Sequence, residues 1–225
     1  MAAVVLACGE TGLSLGDDAS SAFTQRDDIR VHRVAARPGK DDVEEILSEL
    51  DGRRLVVAGT DADLAAVVLR LLRTERVPAV DLGFVPAESS SAVARRWGLP
   101  RKRTAAVETA LTGPVRPVPL VRDDNGGVLV GVGSITALDA VAYCDDTRVL
   151  SGAARQLRVL PDRAGLRVEV VTGRFGQVAA SATGRACQIG GELPEIVSDG
   201  VPHGRPMPRW TWYRHTEDLR LVRPE

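Results

Sequence analysis

The spacing of hydrophobic residues changes near residue 114 and divides the chain into two halves. Before this point, short apolar runs alternate with segments whose apolar residues recur every three or four positions. After it, apolar and polar residues alternate, and turn residues such as Asn125-Gly126 separate the runs. Helical spacing between apolar runs is typical of helices packed on a sheet, and a period of two is typical of half-buried strands. The pattern therefore predicts an α/β half followed by an all-β half.

Strands and helices are predicted to alternate in the first half. Strands are expected at residues 2–7, 30–35, 55–58 and 79–85, and helices at residues 41–51, 63–74, 89–97 and 104–112. Two of the strands run directly into a turn and a helix. In parallel sheets such turns lie at one edge, where backbone N–H groups can surround a phosphate. The first half is therefore a candidate nucleotide-binding domain.

The second half contains many short strands separated by turns. They are expected at residues 115–122, 128–132, 157–160, 166–171, 178–182, 186–189, 195–197, 209–213 and 219–222. This arrangement predicts a β-sandwich, so we divide the chain into domains at residues 1–113 and 114–225. Trp210 and Trp212 share one face of a predicted strand, where they either fill the core or contact lipid.

Composition narrows the functional classes. The net charge of −1 gives no global attraction to nucleic acid or to an anionic membrane, so no nucleic-acid partner and at most peripheral membrane contact are expected. The three cysteines have no metal-ligand spacing, which predicts no metal site within the chain and a reduced, cytoplasmic protein. One basic run, Arg95, Arg96, Arg101, Lys102 and Arg103, is either a solvated face or a docking surface for anionic headgroups. The sequence leaves open whether the chain forms a homo-oligomer.

The turns after the predicted strands at 55–58 and 79–85 carry the candidate chemistry. The first turn contains Gly59 and ends in Asp63, and the second contains Glu88, Ser89 and Ser90. Glycine and hydroxyl groups suit phosphate binding, whereas the carboxylates would repel it. Carboxylates at helix N-termini are also common caps, so both turns have a purely structural interpretation.

The same turns carry a resemblance to a known family. Residues 59–63 read G-T-D-A-D, residues 82–87 read L-G-F-V-P-A, residues 94–100 read A-R-R-W-G-L-P, and residues 197–201 read V-S-D-G-V. In this order they resemble the G-G-D-G-T, L-G-x-x-P, A-R-x-x-G-x-P and D-G-E motifs of the diacylglycerol kinase catalytic family, which shares its nucleotide domain with NAD kinases. The resemblance covers almost the whole chain and implies an NAD kinase-like three-layer α/β domain followed by an all-β sandwich domain.

The resemblance also implies roles for individual residues. ATP, with Mg²⁺, would be bound by Gly59, Thr60, Asp61, Ser89 and Ser90. Asp199 would be the general base that accepts the proton of a lipid or small-molecule hydroxyl, and replacing it with asparagine would then abolish phosphate transfer with little change in melting temperature. The alternative for Asp199-Gly200 is an ordinary hairpin turn.

Two functional hypotheses follow from these residues. The first is a lipid kinase that phosphorylates a lipid hydroxyl with ATP and a degenerate phosphate-binding site. The second is a pseudo-kinase that acts as a binding or regulatory module. Because Asp63 and Glu88 would face the phosphates, ATP is expected to bind weakly or not at all.

Overall fold

The computed structural model describes residues 2–13, 23, 28–173 and 176–224. The chain forms two compact units. The first comprises residues 1–118 and 218–225, and the second comprises residues 119–217.

A parallel sheet forms the centre of the first unit. Its strands are β1 (Ala3–Cys8), β2 (Ile29–Val34), β3 (Arg54–Gly59) and β4 (Leu82–Pro86), in the order β2-β1-β3-β4. Every residue of β1 and β3 is buried. Burial on both faces explains why these strands appear in the sequence as continuous apolar runs without alternation.

Helices follow the strands of this sheet along the chain. They are α1 (Gly9–Leu13), α2 (Lys40–Ser48), α3 (Asp61–Arg73), α4 (Ala92–Trp97) and α5 (Arg103–Thr112). Helix α5 packs on β4, and its Ala106, Val107, Ala110 and Leu111 join a core cluster with alternate residues of β1 and β3. Among the described residues, no helix is long and apolar enough to span a bilayer.

A buried arginine joins β3 to the end of α5. The side chain of Arg54 is only 4% exposed, and its Nη1 donates hydrogen bonds to the carbonyl oxygens of Ala110 (3.3 Å) and Leu111 (2.7 Å). These carbonyls lie in the last turn of the helix, where the dipole is negative and acceptors lack helical partners. Arg54 therefore acts as a C-terminal cap that fixes α5 against the sheet.

Residues after 217 return to the first unit and extend its sheet. The N–H of Leu82 donates to the carbonyl of Arg220 (2.9 Å), and the N–H of Val222 donates to the carbonyl of Leu82 (2.8 Å). An ion pair between Arg220 and Asp81 (2.7 Å) lies beside these bonds. This segment therefore covers the open side of β4.

The second unit is built on antiparallel strands. They are β5 (Val118–Asp123), β6 (Val128–Leu129), β7 (Gly133–Cys144), β8 (Thr147–Asp162), β9 (Gly165–Thr172), β10 (Gln177–Gly184), β11 (Ala186–Leu193), β12 (Glu195–Ser198), β13 (Val201–Pro202) and β14 (Met207–Leu219). They form one hydrogen-bonded sheet in the order β10-β9-β8-β7-β11-β14-β5-β6, with β12 pairing to β7 and β13. The predicted fold class, an α/β part with an all-β part, is confirmed.

Some strands are longer than the sequence predicted. No strand was predicted over residues 133–156, where the structure has β7 and most of β8. The strand predicted at 209–213 lies within the longer β14, whereas residues 221 and 222 of the strand predicted at 219–222 form only isolated bridges. The exposed positions of these strands carry small and charged residues and, at Val141 and Tyr143, large apolar ones, so the apolar alternation is weak. Cross-strand hydrogen bonds, which periodicity does not reveal, extend the ladders through them.

The two late tryptophans lie in the core of the second unit. Trp210 and Trp212 are 2% and 0% exposed, and their rings meet edge to face with centroids 5.8 Å apart. Gly133 packs against Trp212 so closely that a Cβ atom at residue 133 would come within 2.8 Å of the indole ring. Of the two interpretations open from the sequence, the structure supports a core role.

The buried thiols give a testable prediction. Burial and the nearby Asp63 raise the pKa of Cys8 to about 12, burial and Asp145 raise the pKa of Cys144 to about 11, and burial raises the pKa of Cys187 further. At pH 8 we expect Ellman's reagent to label the native thiols at least about a hundredfold more slowly than the denatured chain, which should release three equivalents. Since unfolded thiols ionise near pH 8.5 and folded ones do not, their contribution to stability should fall as the pH rises above that value. Rapid labelling of one native thiol would contradict the burial.

Candidate functional site

The candidate site lies where β3 and β4 end. Because these neighbouring strands are parallel, their following turns meet at one edge of the sheet. The N–H of Ala87 donates to the carbonyl of Gly59 (2.8 Å), which joins the two turns directly. The structure therefore brings the two predicted phosphate-binding turns together.

The carboxylate of Asp63 occupies the centre of the first turn. Its Oδ2 accepts hydrogen bonds from the N–H (2.8 Å) and the hydroxyl (2.8 Å) of Thr60, and its Oδ1 accepts one from the N–H of Arg37 (2.7 Å). Thr60 Oγ1 in turn accepts from the N–H of Asp63 (3.2 Å), which completes a capping box at the start of α3. Asp63 is 1% exposed, so this anion is an internal part of the fold.

Gly59 shows how little room the turn has for a phosphate. A Cβ atom built on Gly59 would lie 2.6 Å from Asp63 Oδ2. A bound phosphate uses the N–H groups at the start of a helix and needs its own space beside them. Here the Asp63 carboxylate occupies this space and accepts the hydrogen bond of the Thr60 N–H. It would also repel a second anion. In this structure the turn does not fit the phosphates of ATP, and no group of three or more His, Cys, Asp or Glu among the described residues is placed to hold Mg²⁺.

Asp61 fills the start of the next helix in the same way. Its Oδ2 accepts from the N–H groups of Ala92 (2.7 Å) and Val93 (3.3 Å), and its Oδ1 accepts a short hydrogen bond from the hydroxyl of Ser91. The Ser91 hydroxyl also accepts from the N–H of Ala94 (3.0 Å), so it caps α4. The positive end of α4 is therefore neutralised by a carboxylate from the other turn.

The two predicted serine ligands lie away from these hydrogen bonds. Ser89 and Ser90 are exposed, and the Ser90 hydroxyl donates to Glu88 Oε2 (3.1 Å). Helix α4 begins at Ala92, so Ser89 and Ser90 lie in the loop and not in the first turn of the predicted helix. The proposed contact of these serines with a phosphate stays a prediction.

Asp199 belongs to the second unit, where it ties two loops together. Its carboxylate accepts hydrogen bonds from the N–H groups of Val130 (2.9 Å), Gly131 (2.7 Å) and Val132 (3.0 Å), and its own N–H donates to the carbonyl of Val132 (2.9 Å). Asp199 is 5% exposed and has a positive φ of 50° in the turn between β12 and β13. Both oxygens of this carboxylate therefore accept hydrogen bonds from backbone N–H groups.

The sequence did not reveal which groups form the hydrogen bonds of the first turn. The spacing Thr60-x-x-Asp63 is a capping-box signature, and it could have placed the start of α3 before Asp63. The hydrogen bond from Ser91 to Asp61 and the one from the Arg37 N–H to Asp63 had no local signal, because each joins residues about thirty positions apart in the chain.

Comparison with known proteins gives information at the level of the fold. No protein-family model matches the chain, and no curated protein matches it by sequence. A diacylglycerol kinase from Bacillus anthracis str. Sterne superposes with a TM-score of 0.70 at 13% identity, over 99% of this chain and 97% of that one. An NAD kinase from Archaeoglobus fulgidus in complex with ATP gives a TM-score of 0.59 at 12% identity, over 100% of this chain and 94% of that one. The resemblance inferred from the sequence is therefore confirmed in the structure, and this chain has the fold of diacylglycerol kinases and NAD kinases.

Proposed function

We propose that this chain is a catalytically inactive relative of the lipid kinases that acts as a binding or regulatory module. One observation carries the proposal: the donors that would hold nucleotide phosphates are already bonded to the chain's own carboxylates. Asp63 accepts from Thr60 and Arg37, and Asp61 accepts from the first N–H groups of α4. Displacing both carboxylates would leave several buried N–H groups without an acceptor. Each such group costs about 1–3 kcal/mol.

The competing candidate is ATP-dependent phosphorylation of a lipid hydroxyl. It rests on the fold and on the positions of Gly59, Asp61 and Asp199 in the family's motif order, and on a neighbour whose structure contains ATP. It requires Asp63 to leave the first turn and Asp199 to release backbone N–H groups before it can accept a proton. We therefore favour the inactive module.

Calorimetry with ATP and Mg²⁺ tests the proposal. We expect no binding heat for the wild type up to about 1 mM nucleotide. The phosphates would meet the carboxylates of Asp63 and Glu88, and two such like-charge contacts at intermediate dielectric can remove a micromolar affinity. Replacing Asp63→Thr together with Glu88→Gly restores two family residues and should produce measurable binding. Glu45→Thr with Glu75→Gly removes two exposed carboxylates elsewhere in the first unit and is the charge-matched control.

The outcomes separate the two candidates. A dissociation constant in the low micromolar range for the wild type would contradict the inactive module. Transfer of labelled phosphate from ATP to diacylglycerol in mixed micelles would establish the kinase instead. If ATP binds to the Asp63→Thr, Glu88→Gly variant but not to the charge-matched control, the loss of ATP binding in the wild type is caused by the residues of the two turns.

A further inference from the structure

Two of the three cysteines lie opposite each other in the sheet of the second unit. Cys144, the last residue of β7, is in register with Cys187 of β11. In the first unit, Cys8 of β1 is instead in register with Val34 of β2. Among the described residues no third His, Cys, Asp or Glu joins the two thiols in a group that could hold a metal ion. The chemistry open to the pair is therefore that of two neighbouring thiols.

The hydrogen bonds beside the pair define its geometry. In antiparallel strands, opposed residues alternate between pairs that exchange backbone hydrogen bonds and pairs that do not, and the second kind has Cα atoms about 4.5 Å apart. The next pair along this ladder, Asp145 and Ala186, is of the first kind, because the N–H of Asp145 donates to the carbonyl of Ala186 (3.0 Å). Cys144 and Cys187 are therefore of the second kind. Their Cα separation falls within the range of about 4.4–6.8 Å that disulfides adopt.

The two cysteine side chains lie on the same face of the sheet. Directly opposed residues share a face, and both cysteines belong to the core cluster of the second unit, where Cys144 and Cys187 are 2% and 0% exposed. Burial and then the nearby Cys144 thiol raise the pKa of the Cys187 thiol, which is the effect expected of two ionisable groups close together. A bond between the two sulfur atoms would therefore keep the register of β7 and β11.

Asp145 holds the two strand ends together beside the cysteines. Its Oδ1 accepts hydrogen bonds from the N–H groups of Arg185 (3.0 Å) and Ala186 (2.9 Å). These bonds join the turn after β7 to the start of β11. The two thiols are therefore held opposite each other before any bond forms, which makes their reaction with each other effectively unimolecular.

We propose that Cys144 and Cys187 form a reversible cross-strand disulfide when the chain reacts with a small-molecule disulfide such as oxidised glutathione. The Cys144 thiolate attacks one sulfur of glutathione disulfide, whose S–S bond breaks and releases one glutathione thiolate. The Cys187 thiolate then attacks the Cys144 sulfur of the mixed disulfide and releases the second glutathione thiolate. The two glutathione thiolates take up the two protons that the cysteines lose. Two protein thiols are oxidised, and one glutathione disulfide is reduced to two thiols.

Cys144 is the cysteine that reacts first with glutathione. It lies directly before the exposed turn residues Asp145 and Asp146, at the end of a hairpin, where local opening requires the least free energy. Cys187 lies in β11, which is covered by β7 on one side and β14 on the other. The reaction depends on opening of the hairpin end, and under reducing conditions both residues remain thiols. This inference is independent of ATP binding.

Thiol counting after oxidative refolding tests the pair. Refolding from urea in an excess of glutathione disulfide removes burial as a barrier to the reaction. After denaturation, Ellman's reagent should then detect one thiol per chain, because the pair consumes two of the three. Mass spectrometry should find a peptide containing Cys144 linked to one containing Cys187. The disulfide should raise the melting temperature by about 5–10 °C over the same sample after reduction.

Two variants serve as controls. Cys8→Ala should form the same link and leave no free thiol, whereas Cys187→Ala should form no link and gain no stability on oxidation. Circular dichroism checks that every sample has refolded. Three free thiols in the oxidised wild type would overturn the proposal, as would glutathione left on Cys144 or a link that involves Cys8. An equal rise in melting temperature for Cys187→Ala would also contradict it, because that variant cannot form the bond.

Discussion

Replacing Asp63 with alanine is expected to lower the free energy of unfolding by about 3 kcal/mol. The carboxylate satisfies the N–H groups of Thr60 and Arg37 and completes the capping box of α3, and all of these contacts are buried or partly buried. Alanine leaves the donors without an acceptor in a place that water reaches poorly. Urea denaturation followed by far-ultraviolet circular dichroism measures the change.

Asp41 provides the comparison for Asp63. It also lies in the first turn of a helix, α2, but it is exposed, so Asp41→Ala removes a favourable dipole interaction and little else. We expect that variant to lose less than about 1 kcal/mol. Equal effects of the two substitutions would show that Asp63 acts only through the helix dipole and that the turn does not depend on its hydrogen bonds.

Replacing Asp199 with asparagine is expected to destabilise the fold by about 2–3 kcal/mol. The two carboxylate oxygens accept three backbone N–H groups, from Val130, Gly131 and Val132. Asparagine keeps one oxygen and turns an NH₂ group toward a remaining donor, where neither can be satisfied. The sequence alone predicted a nearly unchanged melting temperature, and the hydrogen bonds lead us to expect a clear decrease.

The exposed Asp146 is the control for this substitution. It lies in the turn between β7 and β8, and Asp146→Asn should leave the melting temperature within about a degree. If Asp199→Asn melts like the wild type, Asp199 is dispensable for the loops and becomes available as a general base. A large loss of stability together with no phosphate transfer by the wild type would assign Asp199 to structure.

The fold was largely predictable because buried strands and amphipathic helices leave a direct trace in the sequence. The run that became β1 and the part of β3 after Arg54 are apolar because both faces of these strands are covered. The exposed parts of β7 and β8 left no such trace, since solvent-facing strand residues need not be apolar. The return of residues 218–225 to the first unit rests on backbone hydrogen bonds with Leu82, Pro114 and Arg116 and on the ion pair with Asp81, none of which periodicity indicates.

The site was predictable in position but not in its internal bonding. The motif order placed Gly59, Thr60 and Asp61 at the edge of the sheet, where the structure has them. The sequence also indicated that the Asp63 carboxylate conflicts with a phosphate. It could not indicate that Asp61 reaches the start of α4, because that contact depends on the meeting of two turns from different strands. Long-range hydrogen bonds of this kind are set by tertiary structure.

The position of residues 218–225 has a consequence for how the protein is made. Leu221 and Val222 are buried in the first unit, yet the ribosome synthesises them after every residue of the second. The first unit therefore cannot complete its sheet during translation until the whole second unit has been made. Until then, the side of β4 beside Leu82 lacks its cover, and such open strand edges are where nascent chains associate with one another. That edge of β4 is therefore uncovered at least for the time that the synthesis of residues 119–217 takes.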